Sequence, residues 1–121
     1  MSDLIRNIAE VPWQRMPAHD AGALSKLLVH PETTGSRHLD YRISTYAPGA
    51  GVDRHAHRVQ AQVYHVLEGE GLMEVGDVTR VVRRHDVIQL PAGVPHRILN
   101  TGVGDLVFIV VTAPVGDELP A

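Results

Sequence analysis

The chain reads as an all-β protein, an antiparallel sandwich or barrel, and three features of its pattern predict this. Short runs rich in Val, Ile, Tyr and Thr recur along most of its length. Turn signals built from Gly, Pro, Asn and Asp separate them every 8 to 12 residues or so. No stretch carries the 3.6-residue apolar period of a long helix.

Residues 1–20 scatter Leu4, Ile5, Ile8, Val11, Trp13 and Met16 between polar residues, and Pro12 and Pro17 interrupt any helix. This is expected to be an arm lying across a sheet of its own or of a partner subunit, with Trp13 as an anchor in that packing. Ala23 to Val29 is read as a strand, and Thr33 to Ser36 as a turn. Leu39 to Ala47 alternates and forms the next strand, which Pro48 and Gly49 end. Val63 to Leu67 follows, then a tight turn over Glu68, Gly69, Glu70 and Gly71. Leu72–Val75 and Val78–Val82 make a hairpin around Gly76 and Asp77, which tolerate the positive φ that two-residue loops need. Asp86–Leu90, His96–Asn100 and the apolar Leu106–Thr112 complete eight or nine strands. Pro114, Gly116 and Pro120 predict a loose tail over residues 113–121.

At 121 residues the sequence is expected to form one domain. A net charge of −3, with only Arg83 and Arg84 adjacent among eleven basic residues, gives no footprint for nucleic acid. Cysteine is absent, which removes disulfides, thiolate ligands and a thiol nucleophile and is compatible with a cytoplasmic location. No apolar run reaches the ~18 residues of a membrane-spanning helix. Nor does the N-terminus carry the basic-then-apolar pattern of a signal peptide.

The stretch from Gly49 to Gly69 carries the chemistry. His55 and His57 share one face of an extended strand. Gln62 follows His57 by an odd offset, so a turn or bulge near residues 58–61 must re-aim it if it is to join them. Two imidazoles and an amide oxygen at one point can hold a divalent metal. A second constellation, Pro91-Ala92-Gly93-Val94-Pro95-His96, ends a bend with another histidine at a strand start, and Asn100 lies four residues on.

These two segments resemble the two signature motifs of the cupin superfamily. Gly49, His55, His57, Gln62 and Gly69 fall on the first, with Gln62 where the family usually has Glu. Pro91, Gly93, His96 and Asn100 fall on the second, with His85 where the family usually has Gly. The likeness covers roughly residues 40–112. It implies an antiparallel jelly-roll β-barrel, commonly a homodimer, with a metal inside on His55, His57, His96 and Gln62. The alternative, that these histidines are relics in a barrel without metal, conflicts with the cost of burying polar groups without partners. Fe2+ is favoured, with Mn2+, Zn2+ or Ni2+ as alternatives.

Gln62 in place of Glu leaves the full +2 charge on a bound metal, which favours an anionic chelating substrate. Some small cupins acting on unsaturated sugar acids resemble this chain in that choice. Tyr64 shares a face with Gln62 and is the candidate acid, against the plainer reading of a core tyrosine. His65 points to the other face, towards an interface or the N-terminal arm. His85 lies in an exposed turn, and Asn100 ties off a turn. On Leu39–Ala47, Arg42, Ser44 and Tyr46 share one face and Tyr41, Ile43 and Thr45 the other. If the first set faces inwards, Arg42 can bind a substrate carboxylate. The preference for apolar residues inside favours the second.

The expected function is a metal-dependent enzyme of small substrates. A dioxygenase of enolate-like or phenolic compounds comes first, then a metal-assisted isomerase or lyase of a sugar acid or keto acid. The third alternative is a small-molecule-binding cupin without catalysis.

Overall fold

Alternation of apolar and polar residues builds nearly every element in the computed structural model, which describes residues 4–117. The strands are β1 (Gln14–Arg15), β2 (Ala23–Val29), β3 (Asp40–Tyr46), β4 (Ala61–Glu68), β5 (Glu70–Val75), β6 (Val78–Arg83), β7 (Val87–Leu90), β8 (His96–Asn100) and β9 (Leu106–Ala113). All pair antiparallel, in a six-stranded sheet of order β1-β2-β3-β9-β4-β7 and a three-stranded sheet of order β6-β5-β8. The two sheets face one another as in a jelly roll. Between them lie Val66, Met73, Leu90, Ile98, Leu106 and Phe108, each at most 2% exposed. Burying a side chain of this size is worth about 1.5–3 kcal/mol.

Two turns depart from expectation. Thr33 and Thr34 belong to a one-turn helix α1 (Pro31–Thr34), opened by Pro at its first position and closed by Gly35 at φ 72°. Glu68 to Gly71 is not a hairpin turn but the point where the chain leaves one sheet for the other. Gly69, at φ 80°, makes that step, and a Cβ there would collide with the Asp105 carbonyl oxygen. Asn100 ties off the next corner: its side-chain N–H groups donate to the carbonyls of Tyr46 (2.7 Å) and Gly104 (2.9 Å).

The arm lies against this chain's own sheet. Strand β1 pairs with the edge of β2, Arg6 donates to the carbonyls of Leu27 and Leu28, and Lys26 Nζ donates to the Ile8 carbonyl at 2.9 Å. Trp13 is less of an anchor than its sequence context implies. It is 41% exposed, with the Lys26 ammonium 4.9 Å above its ring.

The tail prediction needs correction. Residues 118–121 lie outside the described part, but Asp117 is firmly held. Its carboxylate accepts the backbone N–H groups of Arg58, Val59 and Gln60 at 2.8–3.1 Å. Among the described residues no helix is long and apolar enough to cross a membrane.

Candidate metal centre and its cavity

His55 and His57 sit not on a regular strand but on the irregular segment that follows Gly49. A single bridge joins His55 to His96 at the start of β8, with reciprocal backbone hydrogen bonds of 3.1 and 2.8 Å. A bend at Arg58 and Val59 then resets the phase, and Gln62 enters β4 facing inwards. The odd spacing is resolved as the sequence requires.

The three imidazoles converge. Ring centres lie 4.5 Å apart for His55–His96, 5.0 Å for His55–His57 and 5.4 Å for His57–His96. Their ligand nitrogens all fall within 4.8 Å of one another. The Nδ1 side of each ring is engaged: His55 with the Asp53 carbonyl at 2.6 Å, His96 with the Val94 carbonyl at 3.0 Å, and His57 with Asp117, 3.7 Å away. Backing of this kind fixes which nitrogen is left for a metal.

That nitrogen is left over. Nε2 of His57 and of His96 are buried without a hydrogen-bond partner, and so is Oε1 of Gln62. Gln62 spends its amide N–H on Thr112 Oγ1 at 3.0 Å, which leaves the oxygen as its unused end. Buried polar atoms are normally satisfied, so three orphans gathered at one place fit a site that a metal ion completes.

Burial holds His96 well below the usual imidazole range, at about 4, with the neighbouring His55 and His57 adding to the effect against the Val94 carbonyl. His57 is also lowered, by burial and then by His55, while Asp117 and the nearby Gln62 side chain, which falls short of hydrogen-bond geometry, pull it the other way. Neutral imidazole is the form that binds metal.

The centre opens into a cavity of ≈ 220 Å³. Its floor is the inner face of the six-stranded sheet, where cross-strand register sets the side chains in rows. One row runs Asp40, Thr112, Gln62 and the next Arg42, Val110, Tyr64. Arg42, Ser44 and Tyr46 therefore line the cavity, which corrects the expectation that Tyr41, Ile43 and Thr45 face inwards. Polarity inside this barrel overrides the apolar-inside preference. The outer face of β3 is instead the apolar one, with Tyr41 37% exposed.

At the β3 end of the cavity Arg42 donates through Nε (3.0 Å) and Nη2 to Asp40, whose side chain is 8% exposed. His30 Nε2 lies 3.6 Å from the same carboxylate, and its Nδ1 accepts the Glu32 N–H. Neither Asp40 nor His30, nor Asp117 or Thr112, stood out in the sequence. They come from separate segments, and only the sheet register and the C-terminal return bring them to the site.

Tyr64 is buried, its ring centre 6.1 Å from that of His96 and 5.2 Å from Phe108. Burial pushes its phenol far above the usual range, as it does that of Tyr46. His65 does point away from the cavity, but towards His85, ring centres 6.0 Å apart, rather than towards the arm. His85 stands exposed in its turn at φ 72°, the backbone region that a glycine would enter more easily. A larger groove of ≈ 550 Å³ lies between the arm, β2 and Tyr41, and among the described residues Arg6 is the one charged side chain lining it.

Comparison with known proteins agrees with this geometry. Residues 42–112 match the family model of the cupin domain. An uncharacterized protein of Methanocaldococcus jannaschii is 28% identical over 81 residues, covering 67% of this chain and 65% of its own. The oxalate-binding protein of Thermotoga maritima is 34% identical over 64 residues, covering 53% of each. The chain thus spans less than two thirds of the length of either curated relative. A solved structure described as a predicted oxalate decarboxylase, from Thermotoga maritima, superposes with a TM-score of 0.81 at 24% identity, covering 91% of this chain and 98% of that one. That likeness speaks for the fold. With the sheets, the two motifs and the converging histidines in agreement, this chain belongs to the cupin family.

Proposed function

We propose that the protein is a metal-dependent enzyme that takes a small, oxygen-chelating anion and moves a proton on it, as an isomerase or lyase of keto acids or sugar acids does. The observation that carries this reading is the set of buried, unpartnered donor atoms on His57, His96 and Gln62 beside His55, opening into a polar cavity. His55, His57 and His96 are the proposed ligands, with Gln62 Oε1 as the fourth. None of the four donor groups would bring a negative charge, so a divalent ion bound there would keep its charge for polarising the chelating oxygens and stabilising an enolate.

The residues of the chain supply the rest. Asp53, Val94 and Asp117 orient the imidazoles, and Thr112 orients the Gln62 amide. Tyr64, kept protonated by burial, faces the same cavity and is the proposed donor of a hydrogen bond to the substrate. The size of the cavity, below the roughly 300–1,000 Å³ of drug-sized pockets, favours a substrate of few atoms. The name of the relative that binds oxalate points to the same class of ligand.

Dioxygenation is the second reading, favoured by the three-histidine donor set, which would suit Fe2+. Polar walls of Ser25, Ser44, Arg42 and Tyr46 suit an acid better than a phenolic ring.

Metal analysis of protein purified without a His-tag tests the common ground: about one metal per chain supports it, and a protein that binds no added divalent ion overturns both readings. Proton NMR in D2O then follows metal-dependent exchange at C3 of 2-oxo acids and the conversion of unsaturated uronates. Oxygen uptake by the Fe2+-loaded protein, without such exchange or conversion, would decide for the dioxygenase.

A further inference from the structure

We infer that Arg42 is a specificity-determining residue that selects chelating acids carrying a second carboxylate, and that Asp40 and His30 hold it in place. This rests on the chelating-anion reading above and names the substrate class of that site.

Three observations carry it. First, Arg42 is a clamped guanidinium. Nε and Nη2 both bind Asp40, which fixes the plane of the fork, and among the described residues Nη1 has no hydrogen-bond partner. Arg42 lines the cavity with its side chain 21% exposed, so the free edge of the fork is offered to whatever occupies it. Planar, pre-oriented guanidinium is the group best matched to a carboxylate.

Second, the register places it across the floor from the centre. Arg42 pairs with Val110 and Val110 with Tyr64, while Asp40 pairs with Thr112 and Thr112 with Gln62. Two strand spacings separate the backbones of β3 and β4, about 10 Å. An anion chelated at the histidine and Gln62 end has the length of a short carbon chain to bridge before its far end meets Arg42.

Third, Asp40, a carboxylate that lines the cavity, is already paired with Arg42, so this end of the cavity offers an incoming acid the free edge of a guanidinium and not an unpaired negative charge. Asp40 also has a positioning role. Buried at 8% side-chain exposure, it keeps Arg42 from swinging to the metal end.

Two acids that share a 2-oxo acid head test the inference: pyruvate, and 2-oxoglutarate with its further carboxylate. Each is titrated calorimetrically into Mn2+-loaded protein of full length. Wild type should bind 2-oxoglutarate about tenfold or more tighter than pyruvate, and Arg42→Gln should lose that advantage, about 10- to 100-fold, with pyruvate affinity and metal content kept. Arg42→Lys, which keeps the charge without the fork, should recover part of it. Equal affinity of wild type for the two acids, or an advantage that survives in Arg42→Gln, overturns the inference. Should Arg42→Gln not fold, the wild-type ratio decides alone. If neither acid binds the loaded wild type, the chelating-anion reading itself fails, and this inference with it.

Discussion

The two ends of the cavity are built on opposite terms. At the histidine end, strands of both sheets and the segment between them bring together three imidazoles and an amide whose outward atoms are engaged, while the inward atoms of His57, His96 and Gln62 have no hydrogen-bond partner. At the β3 end a single sheet presents charged groups, and these satisfy each other: Arg42 binds Asp40, and His30 stands beside it. The first end waits for something from outside the chain. The second holds itself together and spares one guanidinium edge. Binding and stability should therefore separate along the cavity, and substitutions can test whether they do.

The largest effect is expected at the histidine end, on binding. His57→Ala removes one of three imidazoles, and metal content measured by elemental analysis should fall from about one per chain to near zero. The unfolding midpoint of the metal-free protein should move little, because His57 Nε2 has no partner in the fold to lose. Retention of a full equivalent of metal would remove His57 from the site. Gln62→Glu should keep the metal and weaken an anionic ligand, since the carboxylate cancels part of the charge that attracts it. Unchanged anion affinity would defeat that charge argument.

At the other end the signs reverse. Asp40→Asn leaves a largely buried guanidinium without its counter-charge, which should cost about 2–3 kcal/mol in urea unfolding and leave metal content intact. Replacing both partners together should cost less than the sum, because no orphaned charge remains. A variant of Asp40 that lost its metal but not its stability would merge the two ends into one network and break the contrast.

Both ends were not equally legible in the sequence. His55, His57, Gln62 and His96 lie at short, fixed spacings around turn residues, and the resemblance to the two cupin motifs drew them together. The odd step to Gln62 left open whether a bend intervenes or Gln62 points elsewhere, and the bend at residues 58–59 is the first of these. Arg42 was visible but its direction was not, because alternation fixes which residues share a face and not which face is inside. The usual preference pointed the wrong way here, since a polar cavity and an apolar outer sheet invert it. His30 and Asp40 gave no signal, being polar residues beside a turn. The fold was easier to read, because turns and alternation repeat nine times while a site is assembled once. Asp117 was the least legible of all: its partners lie 57–59 residues earlier, and nothing local marks them.

The histidine end should also answer to pH before metal is added. In the folded protein His96 resists protonation down to about 4, because burial disfavours the imidazolium, while an unfolded chain takes up that proton at about 6.5. Between those values the unfolded state binds more protons, so stability is highest above the upper one and declines as pH falls towards the lower. At pH 5 the difference from neutral pH should reach about 2 kcal/mol, read as a drop in calorimetric midpoint in the presence of EDTA. His96→Gln should flatten that decline. A variant as acid-sensitive as wild type would assign the loss to other groups.

Asp117 should give the smallest effect, and it joins binding to stability. Its carboxylate gathers three consecutive backbone N–H groups from Arg58 to Gln60, which hold it low, at about 2, and it also stands behind the His57 ring. Asp117→Ala frees the bend that re-aims Gln62 and removes the group that orients His57. Hydrogen bonds of an exposed carboxylate add little to stability, whereas partners behind a metal ligand typically contribute about 10-fold or more in affinity. The unfolding midpoint should therefore fall slightly while metal binds roughly tenfold more weakly, measured by competition with a chelator. Asp117→Asn, which keeps an oxygen for the N–H groups but loses the charge beside His57, should restore most of the stability and less of the affinity. If both variants bind metal as wild type does, the C-terminal return fastens the loop and nothing more.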